Sequence, residues 1–266
     1  MNRPERNAAP MSQPERNTGP TGQRTHDSSL PGRPARGSAL LWAFGVVAVV
    51  ELVAVAVAAT QVQWLAKPLL APLLLAWLWW ARRQSGPVAI GLVLATAGDI
   101  ALLVPGDTAF LVGMGCFLGT QLALITAFVG HRRPPVAAVA GYLLLWAAAN
   151  ALLWPQLGAL RLPVLGYSLA LSLMAAAATG VNLRAAVGGA LFLFSDLLIG
   201  LGAAGTTPPG HGVLVMATYS AALLLITTGW ATRAGGGLPR PTGGEASQPP
   251  DGGGAAQPDG GMSPPR

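Results

Sequence analysis

The sequence predicts an all-α membrane protein, a polytopic bundle of about eight transmembrane helices with cytoplasmic N- and C-termini. Three observations predict it. Of 266 residues, 52% are hydrophobic and only 10% are charged, against about 25% charged in an ordinary soluble domain. The hydrophobic residues gather into runs of about 20, the length that crosses a hydrocarbon core of roughly 30 Å. Arginines stand at every second boundary between the runs, the pattern of the positive-inside rule. Period-two alternation is absent, which excludes an outer-membrane barrel. At a mean hydropathy of +0.51, only helices satisfy their own backbone in lipid.

Three segments follow. Residues 1–37 are polar and rich in Pro, Arg, Asn and Gly, with Pro-Glu-Arg-Asn at Pro4 to Asn7 and again at Pro14 to Asn17. Residues 232–266 are rich in Gly, Pro, Gln and Ser. Neither has the apolar surface that offsets ordering entropy, so both are expected to be disordered cytoplasmic tails. The segment 1–37 lacks the short basic start and apolar run of a secretory signal. Residues 38–231 form the transmembrane domain.

Its spans are expected at Ser38–Thr60, Gln63–Ala81, Pro87–Val104, Thr108–Gly130, Pro135–Trp154, Leu160–Val181, Arg184–Ala204 and Gly210–Ala231. Breakers such as Arg82 to Gly86, Pro105-Gly106-Asp107 and Thr207 to Gly210 separate them. Arg3, Arg6, Arg16, Arg24, Arg33 and Arg36 precede the first span. Arg82 and Arg83, Arg132 and Arg133, Arg184, and Arg233 mark every second boundary, and the intervening loops hold only Arg161. This places the arginine end in the cytoplasm, for a protein of the plasma membrane. It also accounts for the net charge of +6 without a nucleic-acid partner. Trp42, Trp79, Trp80 and Trp230 fall near the inner interface, and Trp64 and Trp154 near the outer one.

Chemistry is limited by what the chain lacks. One cysteine, Cys116, and three histidines exclude a disulfide framework and a His/Cys metal cluster. Glu51, Lys67, Asp99 and Asp196 instead fall inside apolar spans. Each is costly there, by at least roughly 2.5–3.5 kcal/mol on insertion scales, and so marks a functional site. At about 1.5 Å per residue, Asp99 and Asp196 lie roughly 18 Å from the cytoplasmic ends of their helices, and Glu51 about 20 Å. Lys67 lies close to the outer end of its own helix. Asn150, Tyr167, Ser168 and Tyr219 share that depth. A polar pocket opening toward the outer leaflet accommodates all of them. Gly113, Gly115, Gly188 and Gly189 read as close-packing positions between helices.

The chain also carries a weak internal repeat. Gly98-Asp99-Ile100-Ala101-Leu102-Leu103 resembles Ser195-Asp196-Leu197-Leu198-Ile199-Gly200, and Pro68 and Pro163 stand one turn into the second and sixth spans. A parallel four-plus-four duplication of this kind places the two aspartates near a pseudo-twofold axis.

Lys67-Pro68, Gly98-Asp99, Phe110 with Gly113 and Phe117, Pro163 to Tyr167 with Met174, and Tyr219 follow one order. Within it, the run from Gly189-Ala190-Leu191-Phe192 to Ser195-Asp196 is the most specific part. In this the region from Ser38 to Ala231 resembles the YhhN-like lysoplasmalogenase family. Two positions depart from the family's pattern. Gln121 and Leu124 stand where it has a histidine and an aromatic, and Ala222 where it has a glutamine.

The resemblance implies a multi-pass hydrolase of lipid metabolism. Its reaction cleaves the vinyl ether of lysoplasmalogen-type lysolipids to a fatty aldehyde and a glycerophospho-base. Such a bond is broken by protonating the carbon beta to oxygen and adding water to the oxocarbenium ion. That needs one protonated acid and one carboxylate, roles that burial and mutual repulsion assign to two neighbouring carboxyls. Asp99 and Asp196 are the candidate catalytic pair. Lys67, Glu51, Gln121, Tyr167, Ser195 and Tyr219 are the candidate substrate-binding residues, with Lys67 placed to meet a phosphate. The chemistry calls for no metal and no organic cofactor. The expected partners are an ether-lipid or lysophospholipid substrate and membrane lipids, and the oligomeric state is not legible. The alternative is a small transporter or a non-catalytic lipid-binding protein, since buried acids also serve proton coupling.

Overall fold

A computed structural model describes residues 33–203 and 205–233. The segments expected as tails, 1–37 and 232–266, lie outside it except for 33–37 and 232–233. Helix α1 (Arg33–Ala56) begins a turn earlier than the expected span. Pro34 falls in its first turn, where a missing N–H costs nothing. Every described element is helical: α2 (Thr60–Ala66), a 3-10 turn at Lys67–Leu69, α3 (Leu70–Arg82), α4 (Pro87–Leu103), α5 (Asp107–His131), α6 (Val136–Leu153), a second 3-10 turn at Gly158–Leu160, α7 (Arg161–Ala178), α8 (Leu183–Ala203) and α9 (His211–Arg233).

Seven stretches are long and apolar enough to cross a membrane, α2, the first 3-10 turn and most of α3 forming one of them, Thr60–Trp80. Helix α4 is the eighth span, apolar and 17 residues long, or about 26 Å. The eight spans are those the sequence predicts. Eight crossings return the chain to the side from which it started.

Local chemistry sets the breaks. Pro68 has no N–H to give the α-pattern, and the chain tightens to 3-10 over Lys67–Leu69 before α3 resumes. Gly86, at φ 136°, turns the chain into α4, with Pro87 at its first position.

Small residues let the helices approach closely. A Cβ on Gly98 would meet the Phe117 ring at 2.7 Å, which locks α4 to α5. A Cβ on Gly188 would meet the backbone nitrogen of Ile226 at 2.8 Å, which locks α8 to α9. Gly113 and Gly189 are also tight contacts, but Gly115 has nothing within 4 Å. It departs from the packing role expected for it because two residues turn a helix by about 200°, away from the Gly113 face. Trp230 is buried against Phe128 and His131, while Trp42, Trp79 and Trp80 are exposed.

The packing repeats itself. α4 pairs with α5 as α8 pairs with α9, α3 with α4 as α7 with α8, and α3 touches α9 as α7 touches α5. One pairing has no counterpart. α1 packs on α9, but α6 makes no comparable contact with α5 and rests on α7. Along α6 only Asn150 is buried.

Candidate active site

Asp99 is 1% exposed on α4. Its Oδ2 accepts a hydrogen bond from the Tyr219 hydroxyl on α9 at 2.7 Å. Its Oδ1 lies 3.9 Å from Lys67 Nζ. The proline-induced 3-10 turn carries Lys67 into the bundle, where its side chain is 15% exposed. The lysine faces Asp99 instead of extending to the interface. Glu51 on α1 is fully buried, interacts electrostatically with Lys67, and has no hydrogen bond to either carboxyl oxygen. Tyr219 is held edge-on between the Phe117 and Phe192 rings, with centroids 5.9 and 5.6 Å away.

Asp196 on α8 is the second centre. The Tyr167 hydroxyl on α7 donates to its Oδ2. No cation pairs with it among the described residues. Ser195 is fully buried and donates to the Val215 carbonyl at 3.0 Å. That bond pins α8 to α9 and uses the only hydrogen the hydroxyl has. Gln121 on α5 lies near the Tyr167 hydroxyl, yet neither of its polar atoms has a hydrogen bond of ordinary geometry. We read the pair as neighbours, not as a bond.

Two cavities meet at Asp196. The smaller, about 20 Å³, is lined by Asp99, Asp196, Lys67, Ser195 and Tyr219 among others. A single water needs roughly 10–15 Å³ with polar partners, so this space, lined by both aspartates, is large enough for one. The larger, about 110 Å³, is overwhelmingly apolar and lies among α4, α5, α6, α7 and α8. Leu102, Phe117, Asp196 and Ile199 line both. The cavity residues come from the end of α4, the start of α5, the end of α6, the start of α7 and the end of α8. Most belong to the half of the bundle opposite the arginine end, and Leu171 and Ser172 lie just past its middle.

The structure therefore brings Lys67, Asp99, Asp196, Tyr167, Ser195 and Tyr219 together around the cavities. Glu51 and Gln121 line neither one and stand behind Lys67 and Tyr167. Trp146 escaped the sequence reading. Its indole N–H donates to Ser168 Oγ at 3.1 Å, and it lines the larger cavity. The available signal was its place one turn before Asn150, on the same helix face.

Fold and site together define a multi-pass integral membrane protein with a buried Asp99 and a partly buried Asp196 beside an apolar chamber. The chain belongs to the YhhN family, the lysoplasmalogenase family, whose model matches residues 62–230. No curated protein and no solved structure matches the chain.

Proposed function

We propose that this protein hydrolyses the vinyl ether of lysoplasmalogen-type lysolipids, with Asp196 as the acid and Asp99 as the carboxylate. The observation that carries the proposal is the water-sized space between the two aspartates, opening at Asp196 into an apolar chamber. Lys67 beside Asp99 compensates a carboxylate there. Asp196 has no such cation and faces the apolar chamber, the setting in which a carboxyl keeps its proton.

The alkenyl chain occupies the chamber with its double bond at Asp196. Asp196 protonates the carbon beta to the ether oxygen, and the oxocarbenium ion forms. The water between the aspartates adds to that ion, and Asp99 takes its proton. The hemiacetal then breaks. Asp99 returns the proton to the departing glycerol oxygen, Asp196 takes the hemiacetal hydroxyl proton, and the aldehyde and glycerophospho-base leave. Both carboxyls end as they began. Tyr167 and Tyr219 orient the carboxyls through their second oxygens, leaving Glu51 and Gln121 to position Lys67 and Tyr167. With the arginine end in the cytoplasm, the chamber serves lysolipids of the outer leaflet of the plasma membrane.

One-sidedness supports a hydrolase over a transporter. The opposite half of the core is closed by Ala175 to Ala178, Phe128 and Leu78, and no ionisable side chain is buried there among the described residues. The test is aldehyde release from a lysoplasmalogen by the purified protein, with Asp99→Asn and Asp196→Asn alongside. General acid–base groups contribute about 10²- to 10⁴-fold, and each variant should lose that much while remaining folded. Undiminished release by either variant overturns the paired-acid mechanism. No release by the folded wild type overturns the hydrolase reading in favour of a non-catalytic lipid-binding protein.

A further inference from the structure

The larger cavity contains a polar cluster that the proposed chemistry does not use. On its wall stand Trp146 and Asn150 from α6 and Ser168 from α7. The Trp146 indole N–H is shared between Ser168 Oγ at 3.1 Å and the Leu165 carbonyl at 3.3 Å. Asn150 Nδ2 donates to the Trp146 carbonyl at 2.9 Å and to Ser168 Oγ at 3.1 Å. Ser168 Oγ donates to the Leu165 carbonyl at 3.3 Å.

Every hydrogen in the cluster is therefore committed, and both acceptor sites of Ser168 are filled. One group is left over. Asn150 Oδ1 is buried with no donor, on a residue only 7% exposed. The amide cannot be turned to remove the deficit, because its oxygen would then face the Trp146 carbonyl. The cluster lacks one O–H or N–H and nothing else. A neutral amide oxygen in an apolar wall suits a neutral donor; a cation there would call for a carboxylate.

We propose that Asn150 accepts a hydrogen bond from the free hydroxyl on the middle glycerol carbon of the bound lipid. Asn150 would then be the residue that selects one-chain over two-chain lipids. The proposal rests on the reading that places the ether at Asp196. Ser168, which carries Asn150, is the chain neighbour of Tyr167, which carries Asp196. Asn150 and Asp196 line the same cavity, and in a lysolipid the hydroxyl stands on the carbon next to the one bearing the ether oxygen. In a two-chain lipid an acyl ester replaces that hydroxyl. The donor is lost, and an oxygen that can only accept is set against Oδ1.

The test measures binding, so it does not depend on turnover. The probes are a saturated alkyl glycerophosphocholine with the middle hydroxyl free and the same lipid with that hydroxyl methylated. Neither has a vinyl ether to cleave, and choline offers no N–H. Affinities are measured on the full chain in nanodiscs by displacement of a fluorescent lysolipid. Wild type should prefer the free hydroxyl by about 10- to 100-fold, the range expected when a buried acceptor is left unpaired. Asn150→Leu should abolish the preference, and Asn150→Asp, which keeps an acceptor, should retain it.

Equal wild-type affinities overturn the proposal without a variant having to fold. So does a preference that survives in Asn150→Leu. A preference that appears only with ethanolamine probes also overturns it, because the donor is then the headgroup ammonium. If the vinyl ether is not hydrolysed but the hydroxyl preference holds, the Proposed function fails and the recognition by Asn150 stands.

Discussion

The two halves of the molecule share a scaffold and differ in what they place on it. Gly91 stands eight residues before Asp99, and Gly188 eight residues before Asp196. Gly91 packs on Thr120 and Leu124 as Gly188 packs on Ala222 and Ile226, and in each pair of partners the second follows the first by four residues. Phe117 precedes the first pair by three residues and Tyr219 precedes the second by the same step. Around this frame the first half sets Glu51, Lys67, Asp99 and Phe117. The second sets Asn150, Tyr167, Asp196 and Tyr219. The first half brings a cation to its aspartate and the second does not. An ammonium attends Asp99 and a phenol attends Asp196. Two similar helix pairings can thus hold two carboxyls and still give them different surroundings, which acid–base chemistry requires.

The halves differ in packing as well as in charge. α1 closes against α9, whereas α6 stands away from α5 and the larger cavity fills that gap. Had the second half packed as the first does, the bundle would not have this chamber. The departure from symmetry makes the site.

The most direct way to break the comparison is to make the carboxyls alike. Lys67→Met leaves Asp99 with the company Asp196 has, a tyrosine and no cation. Turnover of lysoplasmalogen should fall about 100-fold, as expected when a buried charge loses its partner, and undiminished turnover would show that Lys67 does not matter to Asp99. A stability test comes next in size. Gly188→Ala forces the backbone of α9 to move and should cost about 1–3 kcal/mol. Gly91→Ala meets only ordinary contacts at 3.6 Å and should leave thermal unfolding in detergent unchanged. Equal effects of the two would refute the asymmetry of the hairpins.

Tyr219→Phe and Tyr167→Phe each remove one hydrogen bond to a carboxyl. Losing a bond to a charged acceptor costs about 1.5–3 kcal/mol, more than losing one to a neutral acceptor. Tyr219→Phe should therefore slow turnover about tenfold or more, and Tyr167→Phe less. The reverse order would exchange the roles of the two aspartates. The smallest effect is expected from Glu51→Gln, which makes that position resemble Asn150. Lying behind Lys67, it should change kcat by no more than about threefold, as a positioning group outside the cavity does. A loss as large as that of Lys67→Met would bring Glu51 into the chemistry.

The spans were legible because lipid enforces them. Twenty apolar residues between arginine-marked breaks can do little else in a chain this poor in charge. The two aspartates were legible for the same reason, since a carboxyl in such a run stands out against its cost. Gly115 was misread because composition does not say which way a helix face turns. Glu51 was placed at the site by depth and Gln121 by the family pattern, and neither separates a residue on the cavity wall from one behind it. The Trp146, Asn150 and Ser168 cluster needed two helices to be seen side by side.

The sequence by itself determined an eight-span helical bundle, the depth of its polar residues and the identity of the acids inside its spans, Glu51, Asp99 and Asp196. These follow from one-dimensional facts, namely run length, charge placement and the energy of a charge in hydrocarbon. The tertiary structure decided which partner each acid has, where a water fits between them and where the chamber opens. Those depend on helix rotation and on contacts between α4 and α9, α7 and α8, and the first 3-10 turn and α4. Small residues such as Gly189, set against Ala175 and Ala178, let helices approach closely enough for such contacts.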